Sequence, residues 1–197
     1  MTERNLRVFF VGDELIAGQG DARGLGWVGR VLARTTTEPP LVPLTLAMPG
    51  ETTAQLSERW KDEVTRRIDR EADNRLVIGL GSHDLESGQS TARSRLHVAN
   101  LLDNALRLNL QPFVVGPPPR RDQPARSQEE LNAAFSDICL RREVIYVDTY
   151  TPLLNHEQWL TDMSMSGSYT PRQAGYGLMA WLVLHMNWHG YLGVPAS

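Results

Sequence analysis

Hydrophobic and polar positions switch between strand-like and helix-like periods from one end of the chain to the other. Leu6 to Val11 (LRVFFV) is a continuous apolar run closed by Gly12-Asp13, the pattern of a buried strand. Leu25 to Thr35 places Trp27, Val28, Val31 and Leu32 on one helical stripe. Leu41 to Ala47 predicts a second strand, and Pro43 within it predicts a place at a sheet edge. Over Glu51 to Glu71, Leu56, Trp60, Val64 and Ile68 recur every fourth residue among charges, which predicts a helix with Thr52, Thr53 and Gln55 as capping residues. The alternation continues with a strand at Arg75 to Leu80, a helix at Thr91 to Asn109 and a strand at Gln111 to Gly116, ended by Pro117-Pro118-Pro119. Ser127 and Glu130 have the spacing of a capping box for a helix carrying Leu131, Phe135 and Ile138. Val144 to Val147 is a fifth strand, and Thr170-Pro171 reads as the N-cap and first residue of a last helix running to about Trp188.

Five strands separated by helices predict one α/β domain over residues 1–197, with a parallel sheet covered by helices on both faces. In such sheets the functional crevice lies beyond the carboxyl ends of the strands. Gly12 to Glu14, Pro49-Gly50, Gly81 to Asp84 and Gly116 to Pro119 therefore share one rim.

Composition narrows the function classes. Hydrophobic residues are 41% and charged residues 22% of 197, as in a globular protein. The net charge of −3, with no basic stripe, argues against a nucleic-acid partner. Of 20 basic residues only Lys61 is lysine. The single cysteine, Cys139, sits in a helical apolar run and is expected to be a buried thiol. Met1 to Arg7 holds charges and no signal-length apolar stretch, and no run is long enough to cross a membrane. A soluble, cytoplasmic protein without a membrane partner is the expectation.

The rim residues are more specific. Gly12-Asp13-Glu14-Leu15-Ile16-Ala17-Gly18 follows the first strand, Pro49-Gly50-Glu51-Thr52-Thr53 the second, and Gly79-Leu80-Gly81-Ser82-His83-Asp84-Leu85 closes the third. Gly167-Ser168-Tyr169-Thr170-Pro171 precedes the last helix. In this order these segments resemble the four blocks of the SGNH (GDSL) ester hydrolases, G-D-S-L-x-x-G, a glycine block, G-x-N-D-L and D-G-x-H-P, over residues 6 to about 188. The resemblance implies a single-domain, flavodoxin-like SGNH-hydrolase fold. It also implies a reaction in which a serine attacks an ester carbonyl while a histidine, oriented by an aspartate, takes its proton. The serine N–H, the second-block glycine N–H and the asparagine side chain would hold the oxyanion.

Set on those blocks, the serine position is Glu14, the asparagine position His83, the aspartate position Gly167 and the histidine position Thr170, with Tyr169 the alternative one residue away. Gly50 keeps the family identity. The candidate catalytic positions are thus Glu14, His83 and Thr170, and the candidate ligand-binding residues are Asp13, Gly50, Asp84 and Tyr169. Glu14 would place a negative charge where the oxyanion must form. The implied protein is a degenerate member without serine esterase activity, which can still bind a small polar molecule at the rim.

Glu14 and His83 should face each other and shift each other's pKa in opposite directions. As a dyad they would activate water; as a salt bridge they would plug an abandoned oxyanion hole. The salt bridge is preferred, because no third group is seen to orient the pair. Asp13 and Asp84 are expected to tie loops together through backbone hydrogen bonds, and neither a metal nor a cofactor is expected. Ser82 reads as a turn residue, and His156, His185 and His189 as structural or solvated. The five tryptophans, Trp27, Trp60, Trp159, Trp181 and Trp188, read mostly as core, with Trp159 the candidate to line a pocket. Apolar surface on Leu178 to Trp188 would serve a homo-oligomer or a structural, protein-interaction role.

Overall fold

The computed structural model describes residues 5–166 and 169–195. Its sheet has five parallel strands: β1 (Leu6–Gly12), β2 (Val42–Ala47), β3 (Asp73–Gly79), β4 (Gln111–Val115) and β5 (Ile145–Val147). The spatial order is β2-β1-β3-β4-β5. β2 is indeed an edge strand, where Pro43 leaves no inner ladder bond unmade. The longer helices are α2 (Gly26–Leu32), α3 (Thr53–Thr65), α5 (Thr91–Arg107), α6 (Ala125–Leu140), α8 (Glu157–Ser166) and α9 (Gln173–His185). Short helices α1 (Glu14–Ala17), α4 (His83–Glu86), α7 (Tyr150–Leu153) and α10 (Trp188–Leu192) complete the described chain.

The continuous apolar strands exist because both sheet faces are buried. Val8, Phe10, Val77 and Phe113 point to one face and pack with Trp27, Val31, Tyr176 and Trp188. Phe9, Val11, Leu76, Ile78 and Val114 point to the other, against Leu56, Trp60, Leu102 and Phe135. Cys139 is buried in this second layer, and burial pushes its thiol up to about 12, so it is inert at neutral pH.

Several boundaries differ from the periodicity, each for a tertiary reason. α3 ends at Thr65 rather than Glu71. The Asn74 side chain donates to the Asp69 and Ala72 carbonyls and folds the intervening residues into a turn that feeds β3. Its start is as expected, a capping box between Thr52 and Gln55. The Ser127–Glu130 box is overturned: α6 begins at Ala125 after Pro124 (φ −58°), which leaves Ser127 inside the helix. The side chain of Gln128 is bonded to both backbone groups of Arg120, and this pins the first turn.

Thr170-Pro171 does not start the last helix either. Asp162 Oδ2 accepts the N–H groups of Arg172 and Gly175 at 2.6 and 2.9 Å, so a distant carboxylate caps α9, with Arg172 at the N-cap. That helix stops at His185, and left-handed Asn187 (φ 58°) separates it from α10. Trp159 lies in the core, 1% exposed, with its indole N–H donating to the Pro119 carbonyl. Trp181 is 56% exposed and stacks on His185, whereas the other four tryptophans are buried. Among the described residues no helix is long and apolar enough to cross a membrane.

Trp60, 1% exposed, is the largest side chain that α3 commits to the core. Trp60→Ala is expected to cost about 3–5 kcal/mol, read as a lower urea midpoint in equilibrium unfolding.

Candidate functional site

The strand order places a topological switch between β1 and β3: the chain leaves β1 toward one sheet face and β3 toward the other. The two strand ends meet as a Gly12–Gly79 pair. At position 12 the backbone has φ +142°, and a Cβ would fall 2.1 Å from the Gly79 carbonyl oxygen. Only glycine allows this approach, and it brings the segments after β1 and β3 together at the rim.

Asp13 caps α1, its Oδ1 accepting the Leu15 N–H at 3.0 Å. Glu14 follows as the first residue of that helix and is 3% exposed. Its Oε2 accepts the Gly50 N–H at 2.8 Å, and its Oε1 lies 2.6 Å from His83 Nε2. His83 opens α4 on the opposite side of the crevice. Glu14, Gly50 and His83 are therefore joined as the blocks imply, and the carboxylate spans the glycine amide and the imidazole.

A third group orients the pair after all. Glu86, one helical turn beyond His83, takes the other ring nitrogen, with Oε2 2.8 Å from Nδ1. The i,i+3 spacing was the available signal. Arg120 bonds the second Glu86 oxygen and also reaches Asp122. Its guanidinium carbon sits 4.4 Å above the Tyr169 ring, and Tyr169 meets His83 edge-on at 5.8 Å. Tyr169 and Arg120 thus cover the pair, and no motif in the sequence pointed to Arg120.

Other candidates lie apart. Asp84 turns away: Oδ1 accepts the Thr53 N–H at 2.8 Å and Oδ2 the Thr53 hydroxyl at 2.6 Å, tying α4 to α3. Thr170 is buried against Gly20. Gly167 and Ser168 lie outside the described residues. Ser82 has a buried Oγ without a hydrogen-bond partner, and it makes no side-chain cap for α4. His156 and His185 are exposed, and His189 is half-buried.

The electrostatics follow from these contacts. The hydrogen bond to Glu14 raises His83 to about 9, against the cost of burial and with help from Glu86, so it is an imidazolium at neutral pH. Burial alone would raise Glu14, but the bonds from His83 and Gly50 outweigh it and hold its carboxyl below the ordinary value. Asp13 is pushed up to about 7 by burial and by the Glu14 charge. The cavity over the pair, lined by Asp13, Glu14, Ser82, His83, Arg120 and Tyr169, is about 10 Å³, room for one water. A cleft of about 460 Å³ lies elsewhere, lined by Arg30, Arg34, Arg172 and the start of α9, and includes neither Glu14 nor His83.

Residues 10–192 match the model of the GDSL-like lipase/acylhydrolase family. The chain is 25% identical over 154 residues to the uncharacterized protein YpmR of Bacillus subtilis (strain 168). That match covers 77% of this chain but only 54% of the relative, so the chain spans about half of its length. Among solved structures, the lipase/acylhydrolase from Enterococcus faecalis superposes with a TM-score of 0.78 at 18% identity, covering 98% of each chain. The structure of TesA gives 0.76 at 18% identity, covering 92% of this chain and 97% of that one. At such identities the two structures establish the fold.

Because folding raises the His83 pKa, the histidine contributes stability that is complete below its ordinary value of 6.5 and is lost as pH rises through about 9. Raised Asp13 works in the same direction between its ordinary 3.8 and about 7. The protein is expected to lose stability steadily from pH 6.5 to 9.5, and His83→Gln to show a much flatter decline over that window. Urea midpoints measured across the range check this, and parallel curves for the two proteins would count against the assignment.

Proposed function

The chain belongs to the GDSL-like lipase/acylhydrolase family, and from that premise we propose that it is a member without serine ester hydrolase activity, its oxyanion-binding groups taken by its own Glu14. One observation carries this reading. The Glu14 carboxylate accepts the Gly50 N–H and contacts His83, at the two positions where the family resemblance puts oxyanion donors. A carboxylate held there imitates the charge those donors stabilise in a transition state, so a substrate oxyanion could form only by displacing it.

The remaining machinery agrees with this. Position 14 has no hydroxyl, and the imidazole beside it is bonded to carboxylates on both nitrogens. An imidazolium has no free lone pair and cannot take a proton from water or from a nucleophile. Glu14, stabilised as the anion by His83 and Gly50, is correspondingly a weak base. A Glu14–His83 dyad acting on water, the competing reading, thus has both partners in the wrong protonation state at neutral pH.

The purified protein is expected to hydrolyse short-chain aryl esters no faster than buffer, and so are Glu14→Gln and Glu14→Ser. Wild-type turnover that disappears in Glu14→Gln would assign the chemistry to the dyad. Substantial turnover by Glu14→Ser would mean that a competent base stands nearby and that Glu14 alone blocks the site, whereas wild-type turnover that persists in Glu14→Gln would overturn the reading.

A further inference from the structure

Asp13, Glu14 and His83 are buried, and one ligand-type atom from each lies within 4.8 Å of the other two. What distinguishes this cluster from an ordinary acidic pair is how its other atoms are used. Asp13 Oδ1 is held by the Leu15 N–H, Glu14 Oε2 by the Gly50 N–H, and His83 Nδ1 by Glu86. Each side chain is therefore fixed from behind, and Asp13 Oδ2 and Glu14 Oε1 stand 3.9 and 2.6 Å from His83 Nε2. An imidazole that gives its far nitrogen to a carboxylate is the usual outer-shell arrangement of a metal-ligating histidine.

Asp13 supplies the independent sign. The residue is 2% exposed, and its Oδ2 has no hydrogen-bond partner, with His83 Nε2 at 3.9 Å, beyond hydrogen-bond reach. A buried carboxylate oxygen without a partner is costly, and the nearest cationic group to it is the imidazole of the cluster. Gly81 makes room for it, since a Cβ there would fall 1.7 Å from Oδ2.

We infer that Asp13, Glu14 and His83 form a binding site for a divalent transition-metal ion of the zinc class, with two carboxylate oxygens and one imidazole nitrogen as ligands. Ligands of a tetrahedral ion with bonds of about 2.0–2.1 Å stand about 3.4 Å apart. The present separations of 2.6 Å between Glu14 and His83 and 3.9 Å between Asp13 and His83 straddle that value, and one ligand-type atom of each residue lies within 4.8 Å of the other two. On binding, the proton between Nε2 and Glu14 passes to solvent, and Nε2 keeps the electron pair that bonds the ion. The one-water cavity beside the cluster supplies the fourth position. Mixed oxygen and nitrogen donors suit Zn²⁺ and Mn²⁺, whereas Mg²⁺ and Ca²⁺ favour all-oxygen shells.

The test is calorimetric titration of chelator-treated protein with Zn²⁺, in parallel with Asp13→Asn, Glu86→Gln and a His185→Ala control on the surface. One equivalent is expected to bind, with affinity at least 10-fold weaker in the first two variants and unchanged in the control. The wild type should also show a rise in Tm with Zn²⁺ that Asp13→Asn lacks. Circular dichroism of the metal-free variants separates loss of a ligand from loss of the fold, and Glu86→Gln, altered at an exposed residue, serves if Asp13→Asn does not fold. Absence of saturable binding, or stoichiometric binding equal in all four proteins, overturns the site. The inference does not depend on the lack of serine chemistry: esterase activity in metal-free buffer would overturn that reading and leave the titration unaffected.

Discussion

Glu14 is a carboxylate buried at the carboxyl end of a sheet, and it stays ionised there only because it is paired. Its partners impose requirements of their own. The imidazolium of His83 is itself buried, and its second N–H must find an acceptor, which is Glu86. Glu86 is in turn matched by Arg120, and Arg120 by Asp122. Charges alternate in sign from the crevice outward until Asp122, whose side chain is 52% exposed and can rely on water. Tyr169 closes the row by offering its face to Arg120 and contacting His83. One buried carboxylate at a turn therefore accounts for the arrangement of a whole rim.

The scaffold carries this burden without distortion because the rim is fixed by the sheet rather than by the charges. β1 and β3 are paired along their full length, and their last residues are locked by the contact at Gly12. Asp84 fastens α4 to the start of α3 through two hydrogen bonds to Thr53. Glu14, Gly50 and His83 would be delivered to the same place whatever side chains stood at 14 and 83. The fold of the GDSL-like lipase/acylhydrolase family thus sets where these positions meet and leaves the chemistry there to the side chains.

Fold and site were legible to different depths. Strands β1, β3 and β4 could be read because both faces are buried, which leaves apolar runs with no polar interruption. The Pro43 edge could be read because a missing N–H restricts where a strand can lie. The start of α9 could not, because its cap is Asp162, eleven residues before Gln173, and no local pattern announces a carboxylate arriving from another helix. The same holds at the site. The Glu14–His83 contact follows from the strand order, but Arg120 reaches Glu86 from the loop after β4 and leaves no trace in spacing. Glu86 was visible in principle at i,i+3 from His83, yet the short helix that makes this spacing meaningful gives no periodic signal of its own.

Asp13 is where the pairing is incomplete. The row from Glu14 to Asp122 alternates acid and base, but Asp13 adds a further carboxylate at its buried end, and the nearest cation, His83, is already shared by Glu14 and Glu86. A surplus negative charge can be relieved in water at the exposed end of such a row, not at this one. Two means of relief remain, a proton held on Asp13 or a cation held between Asp13, Glu14 and His83. Burial and the Glu14 charge raise the Asp13 pKa and so favour the proton, but it leaves Oδ2 without a bonding partner. A cation would supply that partner and compensate both carboxylates at once. It would also use the one imidazole nitrogen that Glu86 leaves facing them, which ties the orientation of His83 to the charge at Asp13 as well as to Glu14.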